Sequence, residues 1–300
     1  MSAATAAPAS AAARGMRSSL LSHFIDSHPR LFVLTGAGCS TESGIPDYRD
    51  AEGNWKRSAR PMSLQAFMGD EGARRRYWTR SLIGWPRLEA ARPNDAHHAL
   101  AHLQRQNRIE GLVTQNVDGL HEAAGSREVI DLHGRLDTVR CMGCERRSRR
   151  DEHQRTMLQQ NPHWAARLAE RAEQLTVSPQ QPDGDVELAA VDSENFVIPA
   201  CAACGGILKP DVVFFGESVP PARVEAARGH LRRADAMLVV GSSLMLYSGY
   251  RFAQDAAGLG KPIAAINLGR TRADELLGLK IARPCAAALA FVLEPPQRAA

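Results

Sequence analysis

Leu31-Phe32-Val33-Leu34-Thr35 runs straight into Gly36-Ala37-Gly38. A short apolar run halted by glycine has the pattern of a parallel strand buried on both faces. Glycines placed there let the backbone approach a pyrophosphate. A helix opening behind them presents N–H donors and the positive end of its dipole. The stretch Gly36–Gly44 (GAGCSTESG) is therefore expected to leave a strand and open a helix. After Gly38 the next glycine is Gly44, so the spacing departs from G-x-G-x-x-G and argues against a hydride-transfer dehydrogenase.

The same punctuation recurs along the chain. Gly111–Thr114 ends at Gln115-Asn116-Val117-Asp118, and Val129–Leu132 ends at His133-Gly134. Met237–Val240 ends at Gly241-Ser242-Ser243, and Ile263–Ile266 ends at Asn267-Leu268-Gly269. Helical spacing fills the intervals, as in Ala96–Gln106 and Pro221–Ala234. Alternating strands and helices predict an α/β fold with a Rossmann-like parallel sheet. Each polar cluster closes its strand, which is the edge where open α/β sheets bind ligands. Two regions break the alternation: a helix-prone stretch, 51–95, and a cysteine-bearing stretch, 137–206, containing a charged, partly helical insert (Asp151–Leu175) and a Pro/Gly/Asp loop (Ser178–Asp185). The expected organisation is a tail over 1–19 and a discontinuous dinucleotide-binding domain over 20–50, 96–136 and 207–295. A helical module over 51–95 and a zinc-binding module over 137–206 form a smaller inserted domain.

Bulk properties narrow the class. Three hundred residues, 44% hydrophobic and 23% charged, are the mix of an ordinary globular chain. No apolar run reaches the roughly 18 residues of a membrane helix. A net charge of +4, scattered in bursts such as Arg74–Arg76 and Arg146–Arg150, does not build a nucleic-acid surface. Residues 1–19 are rich in Ala and Ser and lack acids; Arg14 and Arg17 lend them some transit-peptide character, and a disordered tail is the plainer reading. A cytoplasmic monomer is the default expectation.

Six cysteines are present. Cys141-Met142-Gly143-Cys144 and Cys201-Ala202-Ala203-Cys204 have the two-residue gap that brings both thiolates of a knuckle to one ion. Four thiolates predict one structural, tetrahedral zinc with no open position for chemistry. A redox dithiol would explain one pair but not two. The stretch from Cys144 to Cys201 far exceeds the roughly 15–20 residues of a compact ribbon, so an insertion loops out of the module. Cys39 and Cys285 stand alone in apolar settings and read as buried.

Gly36–Gly44, extended by Ile45-Pro46-Asp47-Tyr48-Arg49, resembles the signature of the sirtuin family. The resemblance continues in the family's order through TQNVDGLH (114–121), LHG (132–134), KPDVVFFGE (209–217), GSSL (241–244) and NLG (267–269), and spans roughly residues 20–295. YWTRSLIGWP (77–86), QNPHW (160–164), PDGDVEL (182–188) and LYSGYRF (246–252) resemble its class II branch. Cys39 stands where Ile is commoner, and Tyr48 where Phe is.

The resemblance implies an NAD⁺-dependent protein lysine deacylase that consumes NAD⁺ and forms O-acyl-ADP-ribose. The acyl-lysine carbonyl oxygen attacks the carbon that bore nicotinamide, and a base then activates a ribose hydroxyl. His133 matches the catalytic base, and an imidazole is suited to that work near neutral pH; His121 is its nearest rival. Gln115, Asn116, Val117 and Asp118 match the turn around the nicotinamide ribose, with Asn116 and Asp118 catalytic. Gly36, Ala37, Gly38, Thr41, Gly241, Ser242, Ser243, Asn267, Leu268, Gly269 and Cys285 match cofactor positions, and Asp47, Tyr48 and Arg49 the loop that closes over it. Val213, Phe214, Phe215, Gly216 and Glu217 lie in a segment, Val212–Glu217, that resembles the strand pairing with an acyl-lysine peptide by β-addition.

Two further readings stay open. Protein mono-ADP-ribosyl transfer shares the loss of nicotinamide, and a non-enzymatic NAD⁺-sensing zinc scaffold needs no catalytic base. Tyr77 and Arg80 lie three apart in an expected helix, so both can enter one pocket. Their spacing resembles the Tyr-x-x-Arg pair of sirtuins that take acidic acyl groups; packing for Tyr77 and a surface charge for Arg80 is the plain alternative.

Overall fold

A six-stranded parallel sheet forms from β1 (Leu31–Thr35), β2 (Ile109–Thr114), β3 (Ile130–Asp131), β7 (Ala236–Val240), β8 (Ile263–Ile266) and β9 (Leu279–Ile281), in the order β3-β2-β1-β7-β8-β9. This is the doubly wound order, with the chain reversing direction across the sheet between β1 and β7. The computed structural model describes residues 20–54, 61–164, 166 and 193–294. The expected tail, the Ser178–Asp185 loop and the PDGDVEL segment lie outside the described residues.

Burial explains why these runs are strands. Leu31, Phe32, Val33 and Leu34 have no exposed surface, and each such side chain contributes about 1.5–3 kcal/mol over an exposed position. Alternate residues of β1 feed separate cores. Leu31 and Val33 join Leu100 and Leu103 of α4 (Asp95–Arg105) and Ala288 and Leu289 of α9 (Cys285–Leu289). Phe32 and Leu34 join Val224 and Leu231 of α7 (Pro221–Arg233) and Phe252 of α8 (Tyr247–Gly258) on the other face. A helix over 20–27, α1, adds Leu21, Phe24 and Ile25 to the first core.

A second sheet is antiparallel and three-stranded, ordered β5-β4-β6 from β4 (Gly134–Cys141), β5 (Arg147–Arg149) and β6 (Leu208–Val212). It therefore draws on residues outside the cysteine-bearing 137–206 stretch. Against it lie α2 (Leu64–Gly69), α3 (Glu71–Ala90) and α6 (Arg150–Gln160), which share one core with β4 and β6. Trp78 joins the parts: its indole N–H donates to the Leu208 carbonyl over 3.3 Å, and the Arg150 guanidinium sits 5.5 Å from its ring. A four-residue helix, α5 (Leu120–Ala123), follows the turn after β2.

Several expectations need correction. The glycine loop opens no regular helix; two 3-10 turns, Ala37–Cys39 and Thr41–Ser43, follow β1. Gly44, at φ 82°, then stops the second turn, and the Ile45 amide folds back onto the Ser40 carbonyl. Val212–Glu217 is not a continuous strand either. β6 stops at Val212, the Val213 amide donates to the His133 carbonyl over 2.7 Å, and Phe215 makes one bridge to Ser63. β9 was not apparent in the sequence because Leu-Lys-Ile is short and partly exposed, as an edge strand is.

Candidate active site

The reversal between β1 and β7 opens a cleft of about 910 Å³ at the C-terminal edge of the sheet. Gly36, Ala37, Gly38 and Thr41 after β1 line it, with Gly241, Ser242 and Ser243 after β7 and Asn267, Leu268 and Gly269 after β8. The backbones of the first two loops touch. Gly241 adopts φ +65°, and a Cβ there would collide with the Cys39 amide nitrogen, so only glycine fits. Gly38 N–H donates to the Gly241 carbonyl at 2.8 Å, closing a cradle of bare backbone. A pyrophosphate fits such a surface, because no side chain stands between it and the main chain. Cys285 borders the cradle at the start of α9, where the Ala286 amide is capped by Glu42 Oε2 at 2.8 Å.

Beside the cradle, the turn after β2 supplies Gln115, Asn116, Val117 and Asp118. Gln115 Oε1 accepts from Ser242 Oγ at 2.6 Å. Asn116 Nδ2 donates to the Gly36 carbonyl at 3.1 Å and to Ser40 Oγ at 3.0 Å. Ser40 Oγ in turn donates to Asp118 Oδ2 at 2.7 Å. Burial raises the Asp118 pKa, while donors from the Leu120 amide and Ser40 oppose that shift. The carboxylate is thus desolvated, yet held by neutral donors.

His133, in the two-residue turn between β3 and β4, faces the same space. Its Nδ1 lies 3.0 Å from the Gln115 carbonyl oxygen, and its Nε2 lies 2.9 Å from Ser248 Oγ. Burial depresses its pKa to about 4, so the ring is neutral at physiological pH. The rival imidazole, His121, is 1% exposed and bonded through Nε2 to Thr35 Oγ1 at 2.8 Å; it does not line the cleft.

Asp47, Tyr48 and Arg49 form one rim, with Arg49 donating to the Gly53 carbonyl at 2.7 Å. Val213, Phe214, Phe215, Gly216 and Glu217 form another. That second segment is braced from below: Glu217 Oε2 accepts from the Phe214 amide and from the buried Lys209 ammonium, each at 3.0 Å. Of Tyr77 and Arg80, three apart on α3, the structure brings Tyr77 to the cleft. Its ring lines the cleft and meets Phe67 and Phe214 edge-on at 5.5 Å and 5.3 Å. Arg80 is half-buried, with no place among the cleft-lining residues.

Away from the cleft, Cys141, Cys144, Cys201 and Cys204 bring their sulfurs within 4.8 Å of one another. Cys141 and Cys204 are 3.5 Å apart, and Cys144 and Cys201 3.7 Å. Four sulfurs at about 2.3 Å from a tetrahedral Zn²⁺ would be separated by roughly 3.8 Å, so the cluster fits one zinc ion. The Cys144 and Gly143 amides point at the Cys141 sulfur from 3.5 Å and 3.4 Å and lower its pKa, which favours the thiolate a metal needs.

Some cleft residues have no chemical cue of their own in the sequence. Ser40 is one small residue within the Gly36–Gly44 stretch, and Ser248 and Arg251 fall on a helix, yet all three line the cleft. His97, in the sequence an ordinary position on an amphipathic helix, is buried behind Ser40, with Nε2 3.5 Å from Ser40 Oγ.

Residues 36–248 match the Sir2 family. An NAD-dependent protein deacetylase of Xanthomonas campestris pv. campestris (strain 8004) is 61% identical over 276 residues, covering 92% of this chain and 91% of that protein. NAD-dependent protein deacetylase 2 of Bradyrhizobium diazoefficiens is 61% identical over 273 residues, covering 91% and 96%. Among solved structures, a Sir2–p53 peptide–NAD⁺ complex superposes with a TM-score of 0.70 at 27% identity, covering 91% of this chain and 96% of that one. The glycine cradle, the polar turn, the strand-end histidine and the four-cysteine cluster thus sit in a chain that belongs to the Sir2 family.

Proposed function

We propose that this chain, an NAD-dependent protein deacetylase by family, removes acyl groups from lysine side chains of proteins or peptides through the residues gathered in this cleft. The observation that carries the reading is the convergence of the Gly36–Gly38 and Gly241 backbone cradle, the Asn116–Asp118 turn and the neutral His133 imidazole in one space. Bound NAD⁺ supplies an activated ribosyl carbon with nicotinamide as its leaving group. The chain's own groups do the rest. Gly36, Gly38, Ser242, Ser243 and Asn267 orient the dinucleotide, and Asp47, Tyr48 and Arg49 cover it. Asn116 and Asp118 fix the ribose next to the leaving group, where a desolvated carboxylate stabilises developing positive charge. His133 Nε2 accepts the proton of a ribosyl hydroxyl. The Val213–Glu217 segment offers backbone groups to an extended peptide, and Tyr77 walls the acyl side. The four cysteines would hold one zinc ion that contributes folding free energy and takes no part in the reaction.

The same reading places a monomer in the cytoplasm, acting on acylated proteins and not on nucleic acid. The scattered +4 charge supports it, and no described helix is long and apolar enough to cross a membrane. The test is NAD⁺-dependent turnover of acyl-lysine peptides with product analysis. Acyl-ADP-ribose and free lysine are the expected products; labelled protein would instead identify ADP-ribosyl transfer. Nicotinamide release independent of any acyl peptide would sink deacylation. His133→Ala should reduce turnover by about 10²–10⁴-fold with the fold intact, as loss of a general base does.

A further inference from the structure

Both nitrogens of His133 are engaged. The Gln115 carbonyl can only accept, so Nδ1 carries the ring proton and Nε2 presents its lone pair. The group facing that lone pair is the Ser248 hydroxyl at 2.9 Å, which must donate to it. Ser248 stands in the first turn of α8 and lines the cleft beside His133. The start of α8 is pinned against the same turn that holds Nδ1, since a Cβ on Gly249 would lie 2.6 Å from Gln115 Nε2. The hydroxyl is thereby placed by the fold and aimed at the one nitrogen that proton transfer requires.

We propose that Ser248 is a positioning residue for His133. Its hydroxyl holds Nε2 turned into the cleft and reinforces the unprotonated imidazole in the substrate-free protein, then yields that nitrogen to the substrate hydroxyl. This rests on the deacylase reading only in its last step; the hydrogen bond exists without substrate. A donor to the lone pair stabilises the neutral ring and opposes its protonation. Charged side chains facing the ring are Arg223 of α7 and Arg251 of α8, and both disfavour the imidazolium. Asp131, two residues back on β3, is raised to about 7, chiefly by burial. All three groups stay in place when Ser248 is changed.

The experiment has two readouts on wild type, Ser248→Ala and Ser248→Thr. Nitrogen-15 NMR of the His133 ring at neutral pH should find Nδ1 protonated and Nε2 a hydrogen-bonded acceptor. In Ser248→Ala the Nε2 resonance should move to that of an unbonded lone pair, and Ser248→Thr should restore it. The acid limb of kcat/KM should move up by about half to one pH unit in the alanine variant only, the shift expected for losing one such hydrogen bond. An unchanged Nε2 resonance, a protonated Nε2 in wild type, or coincident acid limbs would overturn the proposal. The NMR shift seen in a protein that deacylates no peptide would support the contact and overturn the deacylase reading instead.

Discussion

Ser40 Oγ donates to Asp118 Oδ2 at 2.7 Å while accepting from Asn116 Nδ2 at 3.0 Å, so one hydroxyl serves two of the turn's polar residues. Removing it leaves a buried carboxylate short of a donor and a buried amide short of an acceptor. Ser40→Ala should slow nicotinamide release roughly ten- to a hundredfold, the kinetic equivalent of about 1–3 kcal/mol for such unpaired groups. The Asp118 pKa, already raised by burial, rises further once Ser40 no longer opposes the shift. The loss should therefore deepen toward acid pH. Equal rates for variant and wild type throughout would show that the contact is idle.

Zinc predicts a different phenotype from the cleft. Cys141→Ala or Cys204→Ala removes one of four thiolates, and a structural zinc site contributes folding free energy directly. Metal content near one per chain in the wild type should fall toward zero in each variant, with a lowered thermal transition. Metal-free wild-type protein with normal stability would refute the assignment.

Much of this arrangement was legible because burial on both faces leaves a plain trace. The core strands are apolar runs stopped by glycine or polar residues, and their stops proved to be the cleft. Cysteine pairs at two-residue gaps were equally plain, since metal geometry dictates the spacing. Other features have no local signature. His97 reads as one more position on an amphipathic helix, and only tertiary contact sets it behind Ser40. Ser248 meets His133 across a separation of 115 residues, which no periodicity reveals. The glycine loop misled because a helix-opening motif was overridden by the left-handed Gly44 and by the contact with Gly241.

Buried histidines make stability depend on pH. Burial lowers His97 and His133 to about 4 and His153 to about 3, and pushes His121 well below its ordinary value. Unfolding returns each ring to about 6.5, so the unfolded chain binds more protons in between. Their contribution is fully present above pH 6.5 and is lost as pH falls toward 4. Each adds a slope of about 1.4 kcal/mol per pH unit within that window. His153→Phe keeps an aromatic ring against Trp78, 4.4 Å away in the wild type, and removes one titrating group. Urea unfolding at pH 5 and 6.5 should show the variant losing stability less steeply by about that amount. Parallel losses in both proteins would contradict the account, and zinc release affects the two alike.

Tyr77 and Arg80 lead to different places. Spacing of three along α3 places them on one side of the helix, but sharing a side does not mean sharing a cavity. Tyr77, 3% exposed, is clasped between Phe67 and Phe214 and forms cleft wall. Arg80 is one turn further on and is absent from that wall. A substrate carboxylate held by Arg80 would need the guanidinium inside the cleft, where a planar cation matches it best. Arg80→Met should therefore leave the ranking of acetyl, longer and carboxylated acyl peptides unchanged, with rates within about twofold, as for a side chain that does not line the site. Tyr77→Ala should slow all of them, because it removes a ring from the wall whatever the acyl group. Selective loss of carboxylated substrates in Arg80→Met would put the guanidinium back in the acyl pocket.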